Sequence, residues 1–159
     1  LHAEPGYFVQ GSRVLMTQEK SMNVLSNKNL SFSFFSSGLN NRKNLIHSKL
    51  LSNIFSKNDQ SHIGTKTCNL AFFKENSFQV NGFNNDFVNW GREDSEFVVR
   101  LINSGLKRKR IRFNAIQFHL WHNNYAKVSL KNIERLENAI KGQIKYCNNG
   151  LSTMTENES

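Results

Sequence analysis

The segment WGREDSEFVVRLINSG, Trp90 to Gly105, constrains the fold more than any other stretch of the chain. Trp90-Gly91 cannot lie inside a helix without cost, so it reads as a turn. Glu93 and Asp94 follow at once, in the position where acids complement the positive end of a helix dipole. Phe97, Val98, Leu101 and Ile102 then recur on one face, and Gly105 supplies a stop, which predicts a helix over 94–104. The dipole accounts for acids at this place. It does not account for the tryptophan and glycine just before them, so a second reading stays open: a helix start that holds a carboxylate at the rim of a pocket.

Around this helix the pattern alternates. Gly6–Met16 reads as a strand interrupted at Gly11, with Phe8 and Val14 as its apolar members. Thr67–Phe73 reads as a short buried strand, and a basic turn leads into a strand over Arg112–Phe118. Ser129 can cap a last helix whose stripe is Ile133, Leu136, Ile140 and Ile144, ending at Asn148-Asn149-Gly150. Residues 17–30 are polar and aperiodic, 31–35 form a short strand or anchor a loop, 56–66 form a polar loop, and 151–159 form a disordered tail. This order predicts a mixed α/β (α+β) fold, with 1–150 as one unit. Leu45, Ile46, Leu50, Leu51, Ile54 and Phe55 recur at helical spacing among Arg42, Lys43, Lys49 and Lys57. Such a helix either docks its apolar face on the core or lies on an anionic membrane surface.

At 159 residues the chain is long enough for one domain with a core, and thirteen phenylalanines are its main bulky material. The net charge of +9 points to an anionic partner or neighbourhood. Two cysteines give no disulfide framework, which fits a reducing compartment. No apolar run approaches the ~18 residues of a membrane span. The first residues lack the pattern of a signal peptide and an initiator Met, so a processed product or a piece of a longer chain is expected.

Three groups of residues could carry chemistry. In the first, a carboxylate at 93–94 could take a proton from a substrate hydroxyl, while Trp90 offers a flat apolar face of the kind on which sugar rings stack. In the second, His119 and His122 are spaced i, i+3, and imidazole ligates transition metals readily. A structural pair is the competing reading, and His2, His47 and His62 are isolated. The third is LKRKRIRF, Leu106–Phe113, with five basic residues in eight. It reads as a solvated turn ahead of a nucleic-acid patch, because no nucleic-acid-binding fold surrounds it.

Taken together, VNGFNNDFVNWGREDSEFVVRLINSG and FHLWH resemble inverting, nucleotide-sugar-dependent glycosyltransferases of the GT-A fold. The likeness is closest to the galactosyltransferase-like C-terminal module and to bacterial family 2 enzymes. Asn81, Gly82, Phe83, Trp90, Gly91, Glu93, Asp94, Arg100, Leu101, Gly105 and the histidine pair carry it, strongly over 64–123 and more faintly over 5–16. The resemblance implies Asp94 as the general base and Glu93, Trp90, Gly91 and Phe83 as acceptor-binding residues. It implies His122 and His119 as ligands of a divalent metal, usually Mn²⁺. It further implies a UDP-sugar donor, a glycan or lipid-linked acceptor, inversion at the anomeric carbon, and a role in surface polysaccharide or lipopolysaccharide synthesis in the bacterial cytoplasm, at the inner face of the membrane. One departure stands out: the Asp-x-Asp motif of the family's donor half does not occur. The chain is therefore expected to be the C-terminal, acceptor-side portion of a larger catalytic domain, and inactive alone. The competing class is a non-catalytic basic module that binds an anionic membrane or another polyanion.

Overall fold

The computed structural model describes residues 4–123 and 127–155, with the side chains of 154 and 155 left aside. His2 therefore lies outside the described residues, as do the first three residues and positions 156–159 of the expected tail.

The chain opens with β1 (Tyr7–Gln10) and β2 (Ser12–Met16), one extended run broken at Gly11. Helix α1 (Gln18–Asn27) follows, then β3 (Leu39–Asn40), a 3₁₀ turn at Arg42–Leu45, α2 (Lys49–Phe55) and β4 (Lys57–Asp59). A 3₁₀ turn at Thr67–Asn69 leads to β5 (Leu70–Ala71) and α3 (Lys74–Gln79). Helix α4 (Glu93–Asn103), β6 (Lys107–Arg110), β7 (Ile116–His119), α5 (Leu130–Lys141) and α6 (Leu151–Thr155) complete the described elements. The mixed α/β class expected from the sequence is what forms.

Two small mixed sheets result, ordered β4-β6-β1-β5 and β3-β2-β7. β1 pairs with β6 in parallel and β2 with β7 in parallel, so two broken strands run side by side through both sheets. The break is fixed by Asn69, whose Nδ2 donates to the carbonyls of Ser12 and Ala115, each at 2.7 Å. A Cβ on Gly11 would sit 2.5 Å from the Ala115 carbonyl, so glycine is required where the strands change sheets.

Alternation along β1 and β2 buries Phe8 and Val14 completely. Phe8, Val80, Phe97, Val98, Leu101 and Leu106 form one core cluster; Val14, Met16, Val24 and Leu39 form a second. Helix α4 is the pivot: Phe97, Val98 and Leu101 face the first cluster, while Val99 meets Leu136 and Ala139 of α5.

Several elements differ from expectation. Residues 18–27, expected as aperiodic, form α1, because Oγ1 of Thr17 accepts from the Lys20 amide and Lys28 closes the helix in the left-handed region. Only Ser21 and Val24 of α1 are buried, too few to show a period. The strand expected at 112–118 is only Ile116–His119, because 111–115 carry the break between sheets. The expected basic turn is β6 itself: Arg108 is fully buried, with Nε 2.8 Å from the Asp59 carboxylate and Nη1 donating to the Ile63 carbonyl. Lys109 pairs with Glu4, and Arg110 stands 3.4 Å from Asp59. Helix α5 stops at Gly142, before Ile144, and buries Asn132, Leu136 and Ala139. Ser129 makes no side-chain cap. Residues 151–155, expected within a disordered tail, form α6, pinned by the Ser152 amide donating to Asn81 Oδ1 at 2.8 Å.

Candidate active site

The strands β2 and β7 end side by side, with Leu15 opposite His119. Ligands of open α/β sheets bind where strands end at their carboxyl termini. A cleft of about 590 Å³ opens there, within the ~300–1,000 Å³ usual for ligand sites. Its walls come from five places: the ends of β2 and β7, Asn40 of β3, the turn at Lys66–Cys68, the start of α4 with the turn before it, and Val128 just before α5.

The turn before α4 is held in an uncommon shape. Asn89, Gly91 and Arg92 all have positive φ, at 68°, 106° and 78°. Buried Asn132 of α5 anchors this turn, its Nδ2 donating to the carbonyls of Gly91 at 3.0 Å and Val88 at 3.2 Å. The Ser129 amide donates to the Trp90 carbonyl. The path lifts Trp90 to the rim, half-exposed, and turns Glu93 and Asp94 into the cleft wall.

The three acids of this segment divide by environment. Glu96 is buried in an ion pair with Arg100 and faces away from the cleft lining. Glu93 lines the cleft, and its Oε2 is buried without a hydrogen-bond partner. That oxygen is shielded from the cleft, so Glu93 meets the open space only through the rest of its half-buried side chain. Asp94 also lines the cleft; Ser95 Oγ reaches its Oδ1 at a long 3.4 Å, leaving most of its accepting capacity to the cleft.

Across the cleft, His119 ends β7 and His122 follows on the loop, their Nε2 atoms 3.2 Å apart. Two nitrogens held by one ion at ~2.1 Å stand roughly 3.0 to 3.4 Å apart, so the pair fits two positions of a metal's coordination shell. His122 Nδ1 faces the Asn123 carbonyl at 3.4 Å, a partner that would leave Nε2 bare for an ion. Burial, then the charges of Arg13 and His122, hold the His119 imidazole below its ordinary pKa and so in the neutral form that ligates. Among the described residues no group of three or more His, Cys, Asp or Glu comes together, so the pair would fill only part of a shell.

Six of the residues singled out from sequence thus meet at one cleft: Trp90, Gly91, Glu93, Asp94, His119 and His122. Phe83 does not join them. It stacks on Phe97 at 4.3 Å between ring centroids and supports the core from outside. Asn81, Gly82 and Arg100 of the same pattern are structural too. Arg100 Nη2 donates to the Gly82 carbonyl at 2.8 Å, and Asn81 Nδ2 donates to that of Cys147 at 2.8 Å.

Sequence reasoning did not single out Arg13, Lys66, Arg92 and Trp121, which also line the cleft. Trp121 had a local signal, standing between the two histidines. Arg13 had none; it reaches the site only because β2 pairs with β7.

Residues 51–123 match the model of a family described as the N-terminal domain of galactosyltransferase. Over these residues the chain is similar to a glycosyltransferase module. The match spans the turn at Trp90–Asp94, α4 and both histidines, and it leaves Arg13 and Val128 outside. The description names an N-terminal domain, whereas the motifs resemble a C-terminal module; both point to glycosyl transfer. No curated protein and no solved structure matches the chain.

Proposed function

We propose that this chain forms the acceptor side of an inverting GT-A glycosyltransferase that moves a hexose from a UDP-sugar to a glycan or lipid-linked hydroxyl in surface polysaccharide synthesis. The observation that carries the reading is the convergence of Glu93, Asp94 and Trp90 with the His119–His122 pair on one cleft.

In this reading the acceptor sugar lies against the face of Trp90, in a cleft that Trp121 also lines. Glu93, in the cleft wall, hydrogen-bonds the acceptor sugar through its carboxylate, as the resemblance implies. Asp94 takes the proton of the attacking hydroxyl as its oxygen bonds to the anomeric carbon, and the carbon–oxygen bond to the diphosphate breaks with the electron pair leaving on phosphate. His119 and His122 would hold a divalent ion, Mn²⁺ in the resemblance, which when bound neutralises the charge of the leaving diphosphate. Arg13 and Lys66, both in the cleft wall, add positive charge to the cleft. The donor's nucleotide belongs to a unit bearing an Asp-x-Asp motif, a motif these residues lack.

The test is transfer from UDP-galactose, UDP-glucose and UDP-N-acetylgalactosamine by the whole enzyme with Mn²⁺, with the product's anomeric configuration read by NMR. An inverted linkage supports the reading. Retention of configuration, or no glycosyl product with any of these donors, overturns it.

A further inference from the structure

Helix α2 is amphipathic, and it is mounted the wrong way round for a soluble surface. Its polar Ser52 is 1% exposed and faces the protein, whereas Leu50 and Ile54, one turn apart, are 69% and 62% exposed. Phe55 sits at the foot of the ridge with its ring edge-on to Phe113, and Ile46 is exposed on the approach to it. The core-docking helix expected over Arg42–Lys57 therefore does not form; Leu45 alone of its apolar stripe packs against a core cluster. Ser48 caps α2 through its hydroxyl, accepting from the Leu51 amide, and both ends of the helix are tied to the body: the Ser48 amide donates to the Phe113 carbonyl at 2.9 Å and the Arg112 amide to Ser56 Oγ at 3.2 Å.

The charge around the ridge has one sign. No Asp or Glu occurs between Glu19 and Asp59, while Lys20, Lys28, Arg42, Lys43, Lys49 and Lys57 do. Lys43, Lys49 and Lys57 are exposed beside the ridge. An apolar ridge flanked by cations, with the first acid after it, Asp59, already held by Arg108 and Arg110, matches a leaflet with anionic headgroups above and acyl chains below. We infer that α2 docks the chain on an anionic lipid surface, with Leu50 and Ile54 entering the acyl boundary and Lys43, Lys49 and Lys57 meeting the headgroups. This holds whether or not the cleft transfers a sugar.

The test is co-sedimentation of the 159-residue chain with phosphatidylcholine vesicles and with vesicles that also contain phosphatidylglycerol, at low and high salt. The chain is expected to sediment with the anionic vesicles only and to be released as screening shortens the reach of its charges. Lys49→Glu with Lys57→Glu is expected to lower partitioning by about tenfold or more, and Leu50→Ser with Ile54→Ser to lower it at every salt concentration. All four positions are exposed, so an unchanged thermal midpoint shows that the variants fold. No binding to anionic vesicles, or binding that neither pair of substitutions weakens, overturns the inference. So does a dimer in solution that the Leu50→Ser, Ile54→Ser variant dissociates, because the ridge would then be covered by a second copy.

Discussion

Glu96 and Arg100 close on each other one turn apart on α4, with Oε1 2.7 Å from Nε and Oε2 2.9 Å from Nη2, both side chains out of water. The same guanidinium donates to the carbonyls of Val80 and Gly82. A helix start with three acids thus carries two jobs: one acid locks the NGF turn to α4, and two remain for the cleft. Breaking a buried pair while leaving one charge behind costs about 3–5 kcal/mol. Glu96→Gln is accordingly expected to lower the unfolding free energy by an amount of that order, and Glu93→Gln to leave it nearly unchanged. Urea titration of the two variants side by side checks this.

Asp94 carries the proton transfer in the proposed reaction. Asp94→Asn is expected to cut the transfer rate of the whole enzyme by about 10²–10⁴ with an unchanged thermal midpoint. Glu93→Gln, in contrast, is expected to raise the KM for the acceptor more than it lowers kcat. Full activity in Asp94→Asn would remove Asp94 from the role of base.

Trp121 lies between His119 and His122 in sequence and lines the same cleft. A Mn²⁺ ion held by the two imidazoles would quench its fluorescence. Titration with MnCl₂ is expected to quench the wild-type chain, and replacement of both histidines by Ala to weaken apparent affinity by at least the ~10–100-fold seen when a mere supporting partner is lost. Identical titration curves would exclude these histidines as ligands.

Asp59 gives the pH dependence. Burial pushes its carboxyl up, but the Arg108 hydrogen bond, the Ser61 amide and the charges of Arg108 and Arg110 outweigh it, and the group ends below its ordinary 3.8. A depressed folded-state pKa means that the stabilisation is complete above the ordinary value and fades as pH falls through the lower, folded value. The stability gap between wild type and Asp59→Asn is therefore expected to stay constant from neutral pH down to about 4–5 and to shrink below that. Chemical denaturation across that range checks the sign; a gap that widens on acidification would show the opposite shift.

The parts of this protein that sequence reveals are those whose signal is local. Phe97, Val98 and Leu101 announce α4 through their period, and Gly105 its end. Trp90-Gly91 announces the turn, because glycine was needed there: φ is 106°. Helix α1 escapes because its stability rests on two caps rather than a stripe. KRKR hides a strand because the acid that neutralises buried Arg108 is Asp59, 49 positions earlier. For α2 the period shows an apolar side without showing which way that side faces. In the cleft, Trp90, Glu93, Asp94, His119 and His122 could be found by motif, whereas Arg13 depended on long-range pairing. Phe83 sits inside a motif yet stacks on the core, since adjacency in a pattern does not fix where a side chain points.

The bridging Asn69 has a consequence for tolerance to insertion. Side chains on a strand alternate between faces, so a one-residue slip of β7 against β2 would turn His119 away from the cleft and bring its neighbour in. By gripping the Ser12 and Ala115 carbonyls at once, Asn69 indexes the two strands at the point where the count could be lost. An added or deleted residue between Ile111 and Ala115 would thus misaim His119 and at the same stroke turn Ile116 and Phe118 away from the second core cluster, so the site and that core share one register.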